Sequence, residues 1–205
     1  ISPPGIGRFR ANAFIQQGQV GLVLRTIPQK IPTFESLGLP PVLKDITMSK
    51  RGLVIFVGGT GTGKTTSLAA MVDYRNEKSF GHIITIEDPI EFVHANKAAL
   101  VSQREIGAHA ESFAAALRAA LRENPDIVLV GEMRDLETVS MALTAAETGI
   151  LVFGTLHTNS AAKTVDRLVG VFPTERQPGV RNTLSATLKA VVAQQLLPKK
   201  AGGRI

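Results

Sequence analysis

Gly58-Gly59-Thr60-Gly61-Thr62-Gly63-Lys64-Thr65 fits the pattern G-x-x-x-x-G-K-[ST] at every fixed position. On its N-terminal side, Gly52-Leu53-Val54-Ile55-Phe56-Val57 is an apolar run of strand length. On its C-terminal side, Thr66-Ser67-Leu68-Ala69-Ala70-Met71-Val72 continues as a helix former. Strand, glycine loop and helix, in that order, is the context this motif needs. Glycines have no Cβ, so the loop can turn sharply and press backbone N–H groups against phosphate oxygens. The helix that follows points its positive end at the same oxygens. In this arrangement Lys64 bridges the β- and γ-phosphates and the Thr65 hydroxyl reaches Mg²⁺. Gly58, Gly59, Thr60, Gly61, Thr62, Gly63, Lys64, Thr65 and Thr66 are therefore the expected contacts of a nucleoside triphosphate bound with Mg²⁺.

The 205 residues are 44% hydrophobic and 20% charged, a globular composition long enough for a real core plus a smaller piece. There is no cysteine, which excludes disulfides and thiolate metal sites. No apolar run reaches the ~20 residues needed to span a bilayer, so no direct membrane insertion is expected. The chain opens on Ile1-Ser2-Pro3-Pro4-Gly5 without a charged-then-apolar leader, and no signal peptide is expected. That opening, and the end at Lys199-Lys200-Ala201-Gly202-Gly203-Arg204-Ile205, read as the limits of a fragment of a longer protein. The net charge of +6 fits an anionic partner such as a nucleotide. Nucleic acid is not expected, because the basic residues are scattered and one Tyr with no Trp gives little to stack on a base.

Residues 8–14 and 20–27 read as two strands joined by a Gln- and Gly-containing turn. Pro28, Pro32, Pro40 and Pro41 then punctuate a connection with short helices at 33–37 and 41–47. A boundary near residue 30 separates 1–30 from a core at 31–205. Within that core, strands are expected at 82–86, 100–103, 126–130 and 150–155. Helices are expected at 110–123, at 136–148, from a cap at Asn159 or Ser160 to about Val169, and at 177–196. Near-continuous apolar strands alternating with helices predict an α/β fold with a mainly parallel sheet covered on both faces. Ligands of such sheets sit at the carboxyl ends of the strands.

Acidic residues follow two of those strands. Glu87-Asp88 end the strand at 82–86, and Gly131-Glu132 follow Ile127-Val128-Leu129-Val130. Gly131 stands where phosphate-loop ATPases usually carry an Asp, so Glu132 must itself reach the water or the metal shell. Glu132 is the preferred general base and Glu87 the alternative, and both join Thr65 as candidate Mg²⁺ ligands. His157 follows the strand at 150–155 and is either structural or a γ-phosphate sensor.

Four segments, in order, resemble the Walker A, Asp box, atypical Walker B and His box motifs of the secretion ATPase superfamily. They are Gly58–Thr65, Ile84–Phe92, Leu129–Asp135 and Gly154–Thr158. The match is closest to the type IV pilus retraction ATPases of the PilT and PilU type, and the sequence does not separate those two. The resemblance implies a RecA-like P-loop ATPase core, part of an N-terminal PAS-like domain, and a homo-hexameric motor that hydrolyses ATP to drive pilus retraction and twitching motility. It also implies a cytoplasmic location at the inner face of the cytoplasmic membrane. The implied partners are an inner-membrane pilus platform protein and a paralogous retraction ATPase. Arg10 and Arg25 match in position the family arginines that reach the phosphates from a neighbouring subunit. The absence of zinc-binding cysteine pairs departs from the assembly and type II secretion branches and favours the retraction branch.

Overall fold

In the computed structural model, which describes residues 1–158 and 160–200, the chain opens with an antiparallel hairpin, β1 (Arg8–Gln16) and β2 (Gln19–Ile27). Gln17 and Gly18 turn it with φ of +50° and +74°, the left-handed pair that matches strand twist in a two-residue loop. Directly paired residues share a face. Phe9, Ala11, Ala13 and Ile15 lie opposite Thr26, Leu24, Leu22 and Val20, which makes one face of the ribbon apolar. From Ala11 to Leu24 the residues of that face are exposed. The other face carries Arg8, Arg10 and Asn12 opposite Ile27, Arg25 and Val23.

Two short helices follow, α1 (Phe34–Leu37) and α2 (Val42–Thr47). Residue 30 falls between β2 and α1. The remainder runs β3 (Gly52–Val57), α3 (Lys64–Lys78), β4 (His82–Glu87), β5 (Leu100–Glu105), α4 (Phe113–Ala120), β6 (Ile127–Val130), α5 (Leu136–Glu147), β7 (Leu151–Leu156), α6 (Ala161–Gly170), α7 (Gln177–Thr187) and β8 (Leu188–Ala193). The six strands β3–β8 form one sheet in the order β5-β4-β6-β7-β3-β8, with every pairing parallel. This is the parallel, helix-flanked α/β core expected from the sequence.

Strand side chains alternate between faces, and both faces are buried. Leu53, Ile55 and Val57 join Val128, Val130, Ile84 and Ile86 on one side, under α4 to α7. Val54 and Phe56 join Ile127, Leu129, Ile83 and Phe153 on the other, under α1 to α3. Burial on both faces explains why these strands read as continuous apolar runs. The parallel strand order brings the carboxyl ends of β3, β7, β6 and β4 side by side along one rim.

Two expectations need correction. The helix expected over 177–196 ends at Thr187, and Leu188–Ala193 is a strand paired in parallel with β3. Leu188 and Val191 pack on one core cluster and Ala190 and Val192 on the other. That two-sided burial outweighs the helical periodicity continuing from α7. The helix expected over 110–123 is shorter because Ser112 caps it, its side chain accepting from the Ala115 amide at 3.1 Å. At the start of α6 the cap is Ser160, which accepts from Lys163 N at 3.3 Å. Asn159, the alternative cap, lies outside the described residues.

Candidate functional site

The phosphate loop leaves the sheet where β3, buried along its whole length, ends at Val57. Gly63 is the N-cap of α3, with no capping side chain and no acidic residue in the first turn. The first helical bond is Ser67 N to Gly63 O at 2.9 Å. The amides of Lys64, Thr65 and Thr66 are thus free of intrahelical acceptors and available to an anion. Thr62 Oγ1 donates to Gly59 O at 2.9 Å and tightens the loop. Lys64 folds back over it, and its Nζ donates to the Gly58 and Gly59 carbonyls, each at 2.9 Å. Burial lowers the Lys64 ammonium from its ordinary value, and the Glu132 charge opposes that shift.

Beside the loop a cavity of about 90 Å³ gathers Thr65, Glu87 and Glu132, with Glu91, His94 and Thr155 also on its wall. Glu87 ends β4 and is buried. Its Oε1 accepts from Thr85 Oγ1 at 2.7 Å and from Gln103 Nε2 at 3.2 Å. Burial pushes its carboxyl up, against the pull of those two donors. Glu132 follows β6, and its Oε1 meets His157 Nε2 at 2.9 Å and Arg134 Nε. The turn that carries it is held by Thr155 Oγ1 donating to Gly131 O at 2.5 Å and Met133 N donating to Thr155 O at 3.1 Å. Gly131 itself has a packing reason. Its amide bonds Ile86 O at 2.8 Å, and a Cβ there would press to 3.0 Å from that same oxygen. Asp135, the last residue of this motif, caps α5 through the Thr138 amide and hydroxyl, both at 2.8 Å.

The structure therefore brings Thr65, Glu87 and Glu132 to one cavity and joins His157 to them through Glu132. Arg10 and Arg25 are elsewhere. They face each other across the hairpin, both exposed, and neither lines the cavity. Sequence reasoning missed Gln103 on the edge strand β5. Its Oε1 accepts from His94 N at 2.8 Å, and its Nε2 donates to Phe92 O at 2.9 Å as well as to Glu87. One side-chain amide thus fastens the loop after β4 and orients Glu87. Glu105, two residues on, accepts from Ile90 N at 3.0 Å. The unbroken polar run Ser102-Gln103-Arg104-Glu105 reads as a solvent-facing stretch, so only the tertiary contacts reveal them.

Among the described residues no group of three or more His, Cys, Asp or Glu side chains forms a cage for a metal. Mg²⁺ carried by a nucleotide needs only one or two protein ligands, with phosphates and water completing the shell. The oxygens of Thr65, Glu132 and Glu87 on one wall fit that requirement. No helix among the described residues is long and apolar enough to cross a membrane.

A model of the family described as "Type II/IV secretion system protein" matches residues 9–202. The chain belongs to this family. Within it, the chain is 58% identical to the type IV pilus retraction ATPase PilT of Pseudomonas aeruginosa, over 98% of its own length and 59% of that protein. It is 53% identical to the type IV pilus ATPase PilU of the same organism, over 98% of its length and 53% of that protein. The crystal structure of the pilus retraction motor PilT with bound ADP superposes with a TM-score of 0.98 at 54% identity, covering 100% of this chain and 60% of that one. The chain thus spans under two thirds of the length of these relatives, and the family match includes the phosphate loop, the cavity and the hairpin.

Proposed function

We propose that this chain is the nucleotide-hydrolysing part of a motor subunit that turns over ATP to drive type IV pilus retraction. The observation that carries the reading is the uncapped start of α3 with Lys64 folded over the loop, set beside a cavity holding two carboxylates. The names of the relatives support retraction as the output. In the proposed reaction a water oxygen attacks the γ-phosphorus in line, the bond to the bridging oxygen breaks, and ADP leaves. Glu132 takes the water's proton, and His157, already at hydrogen-bonding distance from Glu132, registers the state of the γ-phosphate. Lys64 and the amides of α3 meet the charge that develops on the phosphate oxygens. Mg²⁺, when bound through Thr65 with Glu132 and Glu87 nearby, supplies further charge neutralisation.

The hairpin supports a second part of the proposal. Residues 1–30 belong to a smaller, PAS-like N-terminal domain whose remainder covers the apolar ribbon face, and residues 31–205 belong to the core. Arg10 and Arg25, exposed and paired, serve the site of a neighbouring subunit in a homo-hexamer. That ring works at the cytoplasmic face of the inner membrane against a platform protein, alongside a paralogous ATPase.

Mg²⁺-dependent ATP hydrolysis tests the first part. Glu132→Gln should lower turnover by at least about 100-fold while ATP still binds; turnover at the wild-type level removes Glu132 as base. Burial and the two donors on Glu87 Oε1 favour a second reading with Glu87 as base. In that case Glu87→Gln gives the inactive, ATP-binding enzyme and Glu132→Gln the milder defect.

A further inference from the structure

The end of β8 lies behind the phosphate loop, where Ala193 pairs with Val57 and the next residue, Gln194, reaches both ends of the loop. Gln194 N donates to Val57 O at 2.8 Å, the last main-chain bond before the loop begins. Its side-chain Oε1 accepts from Ser67 Oγ at 3.0 Å, in the first turn of α3. Gln194 therefore grips the loop at its entry through the backbone and at its exit through the amide. Two of the motif's glycines show how close the grip is. A Cβ on Gly58 would collide with the Gln194 carbonyl oxygen, and a Cβ on Gly63 would come within 2.8 Å of Gln194 Nε2. Both glycines also have positive φ, +144° and +88°. Gly58 is thus required twice, by the loop's conformation and by the Gln194 carbonyl behind it, while at Gly63 the positive φ is the requirement and the Gln194 amide would have to move aside for a Cβ. Gln194 also lies on the wall of an open groove of about 960 Å³ that includes Gly63, Thr66 and Ser67.

The loop needs such a fixture. Its inward contacts are Thr62 to Gly59 and Lys64 to the Gly58 and Gly59 carbonyls. In the nucleotide-binding reading, Lys64 must leave those carbonyls to reach phosphate. When it does, the brace from Gln194 remains. We propose that Gln194 is a positioning residue for the phosphate loop, tying the outgoing end of β8 to both ends of the loop so that nucleotide affinity is set from β8. The proposal rests on the reading of Gly58–Thr65 as phosphate-binding. It makes the segment leaving β8 and the phosphate loop one mechanical unit, so a displacement of the chain beyond residue 194 is felt at the phosphates.

The test is ADP affinity by titration, together with KM and kcat for ATP, on Gln194→Leu, Ser67→Ala, the double variant and Lys64→Ala. Gln194→Leu keeps the backbone bond and much of the volume but loses the amide. It should weaken ADP binding and raise KM by about tenfold, the scale of a lost oriented hydrogen bond, with kcat within about twofold of wild type. Ser67→Ala should give a loss of the same kind, and the double variant should be no worse than Gln194→Leu, because both remove one contact. Gln194→Leu leaves the buried Ser67 hydroxyl without its partner and should lower the unfolding midpoint; in Ser67→Ala and the double variant, which carry no such hydroxyl, the midpoint should stay near wild type while the affinity loss persists. Wild-type ADP affinity in Gln194→Leu, losses that multiply in the double variant, or wild-type ADP affinity in Ser67→Ala each overturn the proposal. Lys64→Ala separates this from the broader reading. If it binds ADP as well as wild type, the phosphate-loop reading itself fails.

Discussion

At the residue scale, Lys64 and Gly63 make the sharpest predictions. Among the described residues the hydrogen bonds of the Lys64 ammonium go to loop carbonyls, so Lys64→Ala should leave the fold intact and cut ATP turnover by about 100- to 1,000-fold in a steady-state assay. Gly63→Ala meets positive φ and the Gln194 amide together, and should cost about 1–3 kcal/mol in urea unfolding. His94 gives a pH dependence. Its ring is buried, with Nδ1 3.9 Å from Asp73 Oδ1. Burial pushes the imidazole below its ordinary value; Asp73 opposes this and Lys97 adds to it. A His with a depressed folded pKa contributes stability that is fully present above the unfolded value, about 6.5, and is lost as pH falls through the folded one. His94→Gln should therefore flatten the fall in melting temperature on the acid side of about pH 6.5; an unchanged slope would place the titrating group elsewhere. The loop motif, Glu87, Glu132 and His157 were all legible as candidates, because each sits just beyond an apolar strand. Gln103 and Gln194 were not, because a glutamine becomes informative only when its two amide atoms have found partners.

At the element scale, strand β8 decides how the sheet ends. The stretch from Gln177 to Leu196 has no Gly or Pro between Val180 and Leu196 to mark a break, and helix and strand share the residues Ala, Leu and Val there. Local pattern extends a helix through it, whereas the free edge of β3 recruits its second half as a strand. The distinction is measurable. On a helix, Val191→Ala or Val192→Ala would be neutral or stabilising, since Ala is the better helix former. Packed on the two faces of a sheet, each should cost about 1 kcal/mol or more in denaturant unfolding. The β3 strand was legible from the same apolar signal because a phosphate loop bounds it on one side and Gly52 on the other. The shared rim of β3, β7, β6 and β4, where the site lies, follows from strand order, and strand order has no local sequence signature.

At the scale of the whole molecule, Arg10 and Arg25 are absent from the lining of their own chain's cavity. Arg8 Nη2 donates to Ile90 O at 3.4 Å, a side-chain link between hairpin and core, while Arg10 and Arg25, on the same face of the ribbon, are exposed. If these arginines act in a neighbour's site, a subunit lacking Lys64 can still lend its arginines, and a subunit lacking them can still use its own loop. The direct measurement is Mg²⁺-dependent ATP hydrolysis by the full-length protein, for Lys64→Ala alone, for Arg10→Ala/Arg25→Ala alone, and for an equimolar mixture of the two. Each alone should be nearly inactive, and the mixture should recover a substantial fraction of wild-type turnover, rising per subunit with protein concentration. A mixture as inactive as its components, or a double arginine variant with full activity by itself, would contradict a site shared between subunits.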